Sequence, residues 1–309
     1  MERAPLPLRG RLARFTDVLI PDGCAFKLAN ALSGVYKGTG QPAEFKLHAI
    51  YSVGHGSLTR LASSAGSVHD SDGLPDGPWE SGALYLWDLA YNDYCRFIRA
   101  ARAGAHLLQR LKERANPIAL ASYGVTGHRR ALARDDGTPV RLDEACALGM
   151  VHQRTVLDLD VQIRATGLAP YVARAVCVPC DGDDHWYLTT LPREIFSPQD
   201  VAELYRVRWE VELYFRHWRG AVRLDEVRRL RDPAALEVAV LSSLLASLLS
   251  HEIHDALERV AAELPPSSPP PPPPALDVAF SPRTVVVSTR GAPVAVTRPS
   301  RRFRAHRAG

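Results

Sequence analysis

The sequence is short of several things, and each shortage removes a class of explanation. Five cysteines in 309 residues are too few, and odd in number, so a disulfide-stapled scaffold is excluded. Long apolar runs are missing too. The best stretch, Ala234 to Ser250, is interrupted by Glu237 and several serines, short of the ~20 apolar residues a membrane span needs. The opening MERAPLPLRG has positive charge but no apolar segment behind it, so the expected location is the cytoplasm. Lysine is scarce: arginine supplies all but four of the 38 basic side chains. That usage suits bidentate phosphate binding and follows equally from a GC-rich coding sequence.

What remains is an ordinary globular composition, 46% hydrophobic and 23% charged, long enough for one large core or two modest ones. The net charge of +4 is unevenly placed. Seven arginines and no acid follow Asp277, leaving the preceding body at −3. Phosphate contacts in the body must therefore come from local clusters.

The hydrophobic pattern predicts an α/β protein. Residues 1–111 alternate strand and helix signals: a strand from Phe15 to Ile20 stopped by a turn at Pro21-Asp22-Gly23, strands at Phe45 to Val53, Ser57 to Ser63 and Ala83 to Trp87, a helix from Asn92 to Ala103, and a strand from Ala105 to Leu111. Residues 112–190 read as a β-rich insertion, with clean alternation over Val156 to Arg164 and a hairpin signal at Asp181-Gly182-Asp183-Asp184. Residues 191–264 read as helical. Ser197-Pro198 starts one helix expected to reach Arg219, and a second, from Pro233 to about Leu264, carries leucines at 241, 244, 245, 248, 249 and 257 as a core helix. A proline-rich linker, 265–274, and a basic tail, 275–309, complete the chain.

The most informative stretch is YRVRWEVELYFRHWR, Tyr205 to Arg219. At about 100° per residue Tyr205, Arg208, Glu212 and Arg219 share an arc of roughly 60° at the margin of the apolar face. An acid held there beside two arginines suits a metal-binding carboxylate next to phosphate clamps. The same spacing also serves an i,i+4 ion pair on a solvated face, and spacing alone favours the ion pair.

Tyr205, Arg208, Glu212 and Arg219 match the Tyr-x2-Arg-x3-Glu-x6-Lys signature of DDE transposases of the insertion-sequence-four type, with Arg219 in the lysine place. VLIPDG at 18–23 resembles the strand bearing that family's first catalytic Asp, FKLH at 45–48 the next strand, LYLWDLAY at 84–91 the strand and turn bearing the second, and TTLP at 189–192 the re-entry to the Glu helix. The resemblance covers about residues 16–232. It implies an RNase H-like mixed sheet with flanking helices and a β-rich insertion before the Glu-bearing helix. It also implies that Asp22, Asp88 and Glu212 are catalytic acids holding two Mg²⁺ ions, with Mn²⁺ as a substitute, and that Tyr205, Arg208 and Arg219 contact DNA. The implied activity is metal-dependent strand cleavage and strand transfer on double-stranded DNA, both transposon ends and target, with a homodimer allowed in the DNA complex. The sequence departs from the pattern in having only 21 residues before Asp22, Cys24 after Gly23, and Leu89-Ala90 after Asp88. An RNase H-like nuclease that does not join strands, or a truncated remnant that binds DNA without cutting, stays open beside the first reading.

Other signals point to structure. Cys177-Val178-Pro179-Cys180 lacks the further ligands of a zinc site and reads as hairpin thiols. Asp158 and Asp160 fall on the polar face of an amphipathic strand and are expected to be solvated. Asp70 and Asp72, in VHDSDG, are expected to cap a turn. His251 and His254 lack metalloprotease spacing.

Overall fold

Alternating side chains let the first strand serve two cores at once. In β1 (Val18–Lys27), Val18 and Ile20 join a cluster with Leu84, Leu86 and Leu108, while Leu19 joins Tyr85, Trp87 and Leu107 on the opposite face. All four residues of β4 (Leu84–Trp87) are buried, so that strand is covered on both sides. Each fully buried side chain of this kind contributes about 1.5–3 kcal/mol relative to exposure.

The computed structural model describes residues 8–112, 115–124, 127–152, 155–180, 183–221, 229–263, 286–287 and 294–295. Two units are distinguished, Met1–Glu252 and Ile253–Gly309. The first is built on an eleven-stranded mixed sheet. Its further strands are β2 (Glu44–Ser52), β3 (Ser57–Ala65), β5 (His106–Arg110), β6 (Ile118–Tyr123), β7 (Arg129–Ala131), β8 (Val140–Arg141), β9 (Leu157–Ile163), β10 (Tyr171–Cys180) and β11 (Asp183–Thr189). The order is β3-β2-β1-β4-β5-β11-β10-β9-β6-β7, with β8 also paired to β6. β1, β4 and β5 run parallel, and the other pairings are antiparallel. The strands of 112–190 thus continue the same sheet, because β11 pairs directly with β5.

Helices flank both faces, as in an RNase H-like α/β fold. α1 (Asp70–Gly73) is a single turn; α2 (Tyr94–Arg102) and α3 (Leu142–Ala147) bury Phe97, Ile98 and Ala145 in one core. α4 (Pro198–Arg206), α5 (Trp209–Ala221) and α6 (Pro233–Glu263) contribute Val201, Leu204, Val211, Phe215, Leu236 and Leu244 to the other. α4 starts where Ser197 predicted it. The Ser197 hydroxyl accepts from the Asp200 N–H at 3.2 Å, and the Asp200 carboxylate accepts from the Ser197 N–H at 2.9 Å.

Four sequence expectations give way here. β1 does not stop at Pro21-Asp22-Gly23; it runs through them, with Pro21 opposite Ile50 and Asp22 opposite Ala49. β1 pairs with β4 only at Val18 and Leu19, so further on one side of the strand has no ladder for a proline to break. The single helix expected from Ser197 to Arg219 is two, joined at Val207-Arg208 by tighter i→i+3 bonds, Arg208 N–H to Tyr205 O at 3.1 Å and Glu210 N–H to Val207 O at 3.0 Å. In α6, Leu244 is buried but Leu241, Leu245 and Leu249 are exposed, since a helix packs one face on a sheet and its apolar residues here go round more than one. Asp158 and Asp160 are not solvated: Arg174 grips Asp158 through two bonds of 2.9 and 2.7 Å, and Arg193 reaches Asp160 at 2.6 Å.

No helix among the described residues is long and apolar enough to cross a membrane. In the second unit, α6 ends and two short strands, β12 (Val286–Val287) and β13 (Val294–Ala295), pair antiparallel. The proline run at 265–274 and the rest of the tail lie outside the described residues.

Candidate functional site

Parallel strands place their carboxyl ends side by side, the usual location of a ligand in an α/β sheet. β1 and β4 pair Val18 with Leu84 and Leu19 with Tyr85, and Asp22 and Asp88 each follow three residues beyond the last paired position. Asp88 ends β4 and caps the following 3₁₀ turn, Leu89–Tyr91, accepting the Leu89 N–H at 2.6 Å. Asp22 accepts the Gly23 N–H at 2.8 Å.

The third acid arrives on α5, which Val211 and Phe215 seat on the sheet. Glu212 is hydrogen-bonded by Arg208, one turn before it, and the Arg208 guanidinium also lies 3.9 Å from the Asp22 carboxylate. The i,i+4 pair read from the spacing is therefore present, but at a partly buried position and directed at Asp22. Asp88 is within electrostatic range of both Asp22 and Arg208.

Burial pushes the Asp22 carboxyl up to about 6; the Gly23 N–H and Arg208 oppose the shift, and Asp88 and Glu212 add to it. Arg208 is held above its ordinary value. Burial works against its charge, and Tyr205, Asp88, Glu212 and Asp22 outweigh that. The Tyr205 ring packs on Tyr187, centroids 5.1 Å apart, and the Arg208 guanidinium lies 5.9 Å from the Tyr205 centroid. Burial raises the Tyr205 hydroxyl well beyond its usual value. Arg219 lies further along α5, and its side chain is outside the described residues.

Could this donor set hold a divalent cation? Three hard carboxylates meet one guanidinium, which leaves two negative charges for a cation to balance. Asp22, which burial hinders from ionising, gains most from such a partner. As placed, the acids are not closed into a cage: among the described residues no group of three His, Cys, Asp or Glu side chains stands ready to hold a metal. Arg208 spans Asp22 and Glu212 instead. The chemistry of the donors fits a hard divalent ion, and loading requires the Arg208 contacts to rearrange.

A cleft of about 840 Å³ opens beside these residues between β10, β11 and α4, lined by Arg110, Tyr187, Tyr205, Arg206, Arg208 and Trp209 among others. Trp209 is 53% exposed. Arginines interleaved with aromatic rings provide phosphate contacts and faces for bases.

Sequence reasoning missed what lies behind Asp22. Asp70 does not cap its turn; His69 does, accepting from Ser71 N–H. Asp70 turns inward, 3.4 Å from the Lys46 ammonium and 3.7 Å from His48 Nδ1. His48, a polar residue in the middle of β2, is fully buried. Glycines were the available signal. A Cβ on Gly23 would stand 2.2 Å from Asp70 Oδ1, and one on Gly73 2.1 Å from the His48 ring. The hairpin thiols divide, Cys177 buried and Cys180 exposed.

Residues 14–249 match the family described as transposase DDE domain. Similar stretches occur in the putative transposase InsL for insertion sequence element IS186A of Escherichia coli strain K12 and in the transposase for insertion sequence element IS421 of Escherichia coli. Each is 35% identical over 66 residues, 21% of this chain and 18% of the relative. The matched stretch thus spans less than a fifth of the length of those relatives.

Proposed function

The chain belongs to the transposase DDE domain family, and from that premise we propose that it is the catalytic domain of an insertion-sequence transposase of the insertion-sequence-four type. In this reading it cuts double-stranded DNA at the ends of its element and joins the freed ends to target DNA, as a homodimer on the DNA. The observation that carries the proposal is the meeting of Asp22, Arg208 and Glu212, with Asp88, at the end of the parallel neighbour strand, in electrostatic range of Asp22 and Arg208.

Asp22, Asp88 and Glu212 hold divalent ions, two Mg²⁺ with Mn²⁺ as substitute. When bound, such ions supply activation of the attacking oxygen and stabilisation of the leaving one. The chain's own residues do the rest. By fixing where the ions would sit, the three carboxylates would set the position of the reacting phosphate relative to the attacking oxygen, which raises effective concentration. Arg208, released from Asp22 and Glu212, turns its planar fork to a phosphate, for which it is shaped. Tyr205 and Arg219 clamp neighbouring phosphates, and the aromatic cleft holds the strand beside the scissile bond. In the first step water attacks the phosphodiester, breaking the bond to the 3′ oxygen, which leaves as a hydroxyl. In the second that hydroxyl attacks a target phosphate and displaces another 3′ oxygen, so bonds balance without an energy donor.

Incubation of the full chain with DNA bearing the element's ends and a target duplex, in Mg²⁺ or Mn²⁺, tests this. Metal-dependent cleavage and joined product, both lost in Glu212→Gln with DNA binding retained, is the expected result. Cleavage without joining indicates a nuclease; binding without cleavage indicates a remnant.

A further inference from the structure

Arg110 ends β5, the third parallel strand, beside the strand that leads into Asp88. β4 and β5 pair Trp87 with Gln109, so Asp88 and Arg110 each follow one residue beyond the last paired position. The Arg110 carbonyl accepts from Asn92 Nδ2 at 3.2 Å, at the close of the 3₁₀ turn that Asp88 caps. The next residue, Leu111, donates its N–H to Trp186 O at 2.9 Å. The backbone at Arg110 is thereby tied to the Asp88 turn on one side and to the chain of β11 on the other.

Strand alternation decides where its side chain goes. Leu108, two residues earlier, belongs to the core that contains Val211 and Phe215 of α5, and Tyr187, opposite Arg110 in β11, belongs to the same core. Arg110 therefore leaves the sheet on the side of α5, the helix that carries Glu212, and it lines the cleft together with Tyr187, Tyr205 and Arg208. It is half-buried there, and its Nε is buried without a hydrogen-bond partner among the described residues. The arginines that hold the fold together differ from it. Arg174 grips Asp158, and Arg96 donates to the carbonyls of Ser71 and Leu74. Arg110 has no share in the contacts between Arg208, Asp22 and Glu212 either. A donor withdrawn from water without an acceptor costs free energy, which an acceptor entering the cleft recovers.

We propose that Arg110 is a phosphate-binding residue, which holds one backbone phosphate of the DNA strand lying in the cleft and so sets that strand's position against Asp88. The inference rests on the reading of this cleft as the DNA-holding wall of the acidic site. A guanidinium suits the task, because its planar fork offers parallel donors, Nε among them, to the oxygens of one phosphate. The strand end adds the register. Since the backbone at Arg110 is bonded to the turn that Asp88 caps, a phosphate held by Arg110 lies at a fixed offset from that acid. A side chain placed from a rigid strand does this more tightly than one on a surface loop.

The test is equilibrium binding of the full chain to fluorescein-labelled duplexes bearing the element's ends, in chelator so that no strand is cut, across a range of salt concentrations. A second set of duplexes carries a neutral methylphosphonate in place of one phosphate at a time. Arg110→Gln, Arg110→Lys and Arg208→Gln are compared with the unaltered protein, and thermal unfolding is recorded for each. Arg110→Gln is expected to weaken binding by about tenfold to a hundredfold and to flatten the salt slope by about one. It should also stop responding to one methylphosphonate position that weakens the unaltered protein. Arg110→Lys should recover part of the affinity, because it keeps the charge without the fork. A packing role predicts instead a lower unfolding temperature and the same pattern of methylphosphonate responses as the unaltered protein, and that result overturns the proposal. Unchanged affinity and salt slope in Arg110→Gln, beside weakened binding in Arg208→Gln, overturns it while leaving the acidic site standing. Binding that neither substitution weakens overturns both. If Arg110→Gln fails to fold, Arg110→Lys decides: a methylphosphonate pattern altered at one position supports the proposal, and an unaltered pattern with unaltered affinity overturns it.

Discussion

Replacing Asp22 by Asn should stabilise the metal-free protein at neutral pH. Burial holds the Asp22 carboxyl at about 6, roughly two pH units above its ordinary value of 3.8. At about 1.4 kcal/mol per unit, ionising it in the folded state costs about 3 kcal/mol. The sign follows from proton linkage: between pH 3.8 and about 6 the folded chain keeps a proton that the unfolded chain has released. Stability therefore falls as pH rises through that window, is flat above it, and is free of the cost below it. Asn keeps the size and the Gly23 bond and has no charge to desolvate. Arg208 retains Glu212, so the substitution strands no cation. Urea unfolding in chelator at several pH values should give Asp22→Asn an advantage approaching 3 kcal/mol at about pH 7.5 that closes towards pH 4. Mg²⁺ should narrow the gap by favouring the ionised acid. An advantage that is absent at neutral pH, or equal at both ends of the range, would refute the claim that desolvation governs this group.

Arg174→Met should cost about 3 kcal/mol, read from the shift of the urea midpoint, because it leaves the half-buried Asp158 carboxylate with only Arg193 at 3.4 Å and frees the Leu191 and Phe196 carbonyls. Ser197→Ala should lower stability by about 1 kcal/mol in the same assay through loss of the α4 capping box, with little change in DNA affinity.

Local signals were legible where local physics decides. Strict alternation marked β9 to within a residue at each end, and Ser197-Pro198 fixed the start of α4. The transposase DDE domain family was legible from the Tyr205-to-Arg219 stripe and the acids in order. Partnerships between distant segments were not. Asp158 and Asp160 looked solvent-facing because Arg174 and Arg193, 16 and 33 positions from their respective partners, come from another strand and from a loop. Pro21-Asp22-Gly23 looked like a turn because a proline's cost depends on whether a neighbouring strand needs its N–H, which only the sheet order reveals. The burial of His48 was not legible because the loop that covers it, carrying Asp70, folds back from about twenty positions downstream. Asp70 in particular gave no cue of its own, since what admits it is an absent side chain at Gly23.

The direct pairing of β5 with β11 bears on how the protein can be taken apart. Residues 112–190 are not a module clipped onto a finished domain. Excising them would strip β5 of the strand on one flank, where Tyr187, Leu188 and Thr189 now lie opposite Arg110, Gln109 and Leu108. The exposed backbone of that strand, whose central residues are buried, would then be a template for pairing with other chains. In the intact sheet the outer boundary on that side is β7, three residues long, all exposed and two of them arginine, an edge that repels its own kind. Residues 112–190 move the boundary of the sheet from β5 to the charged edge of β7.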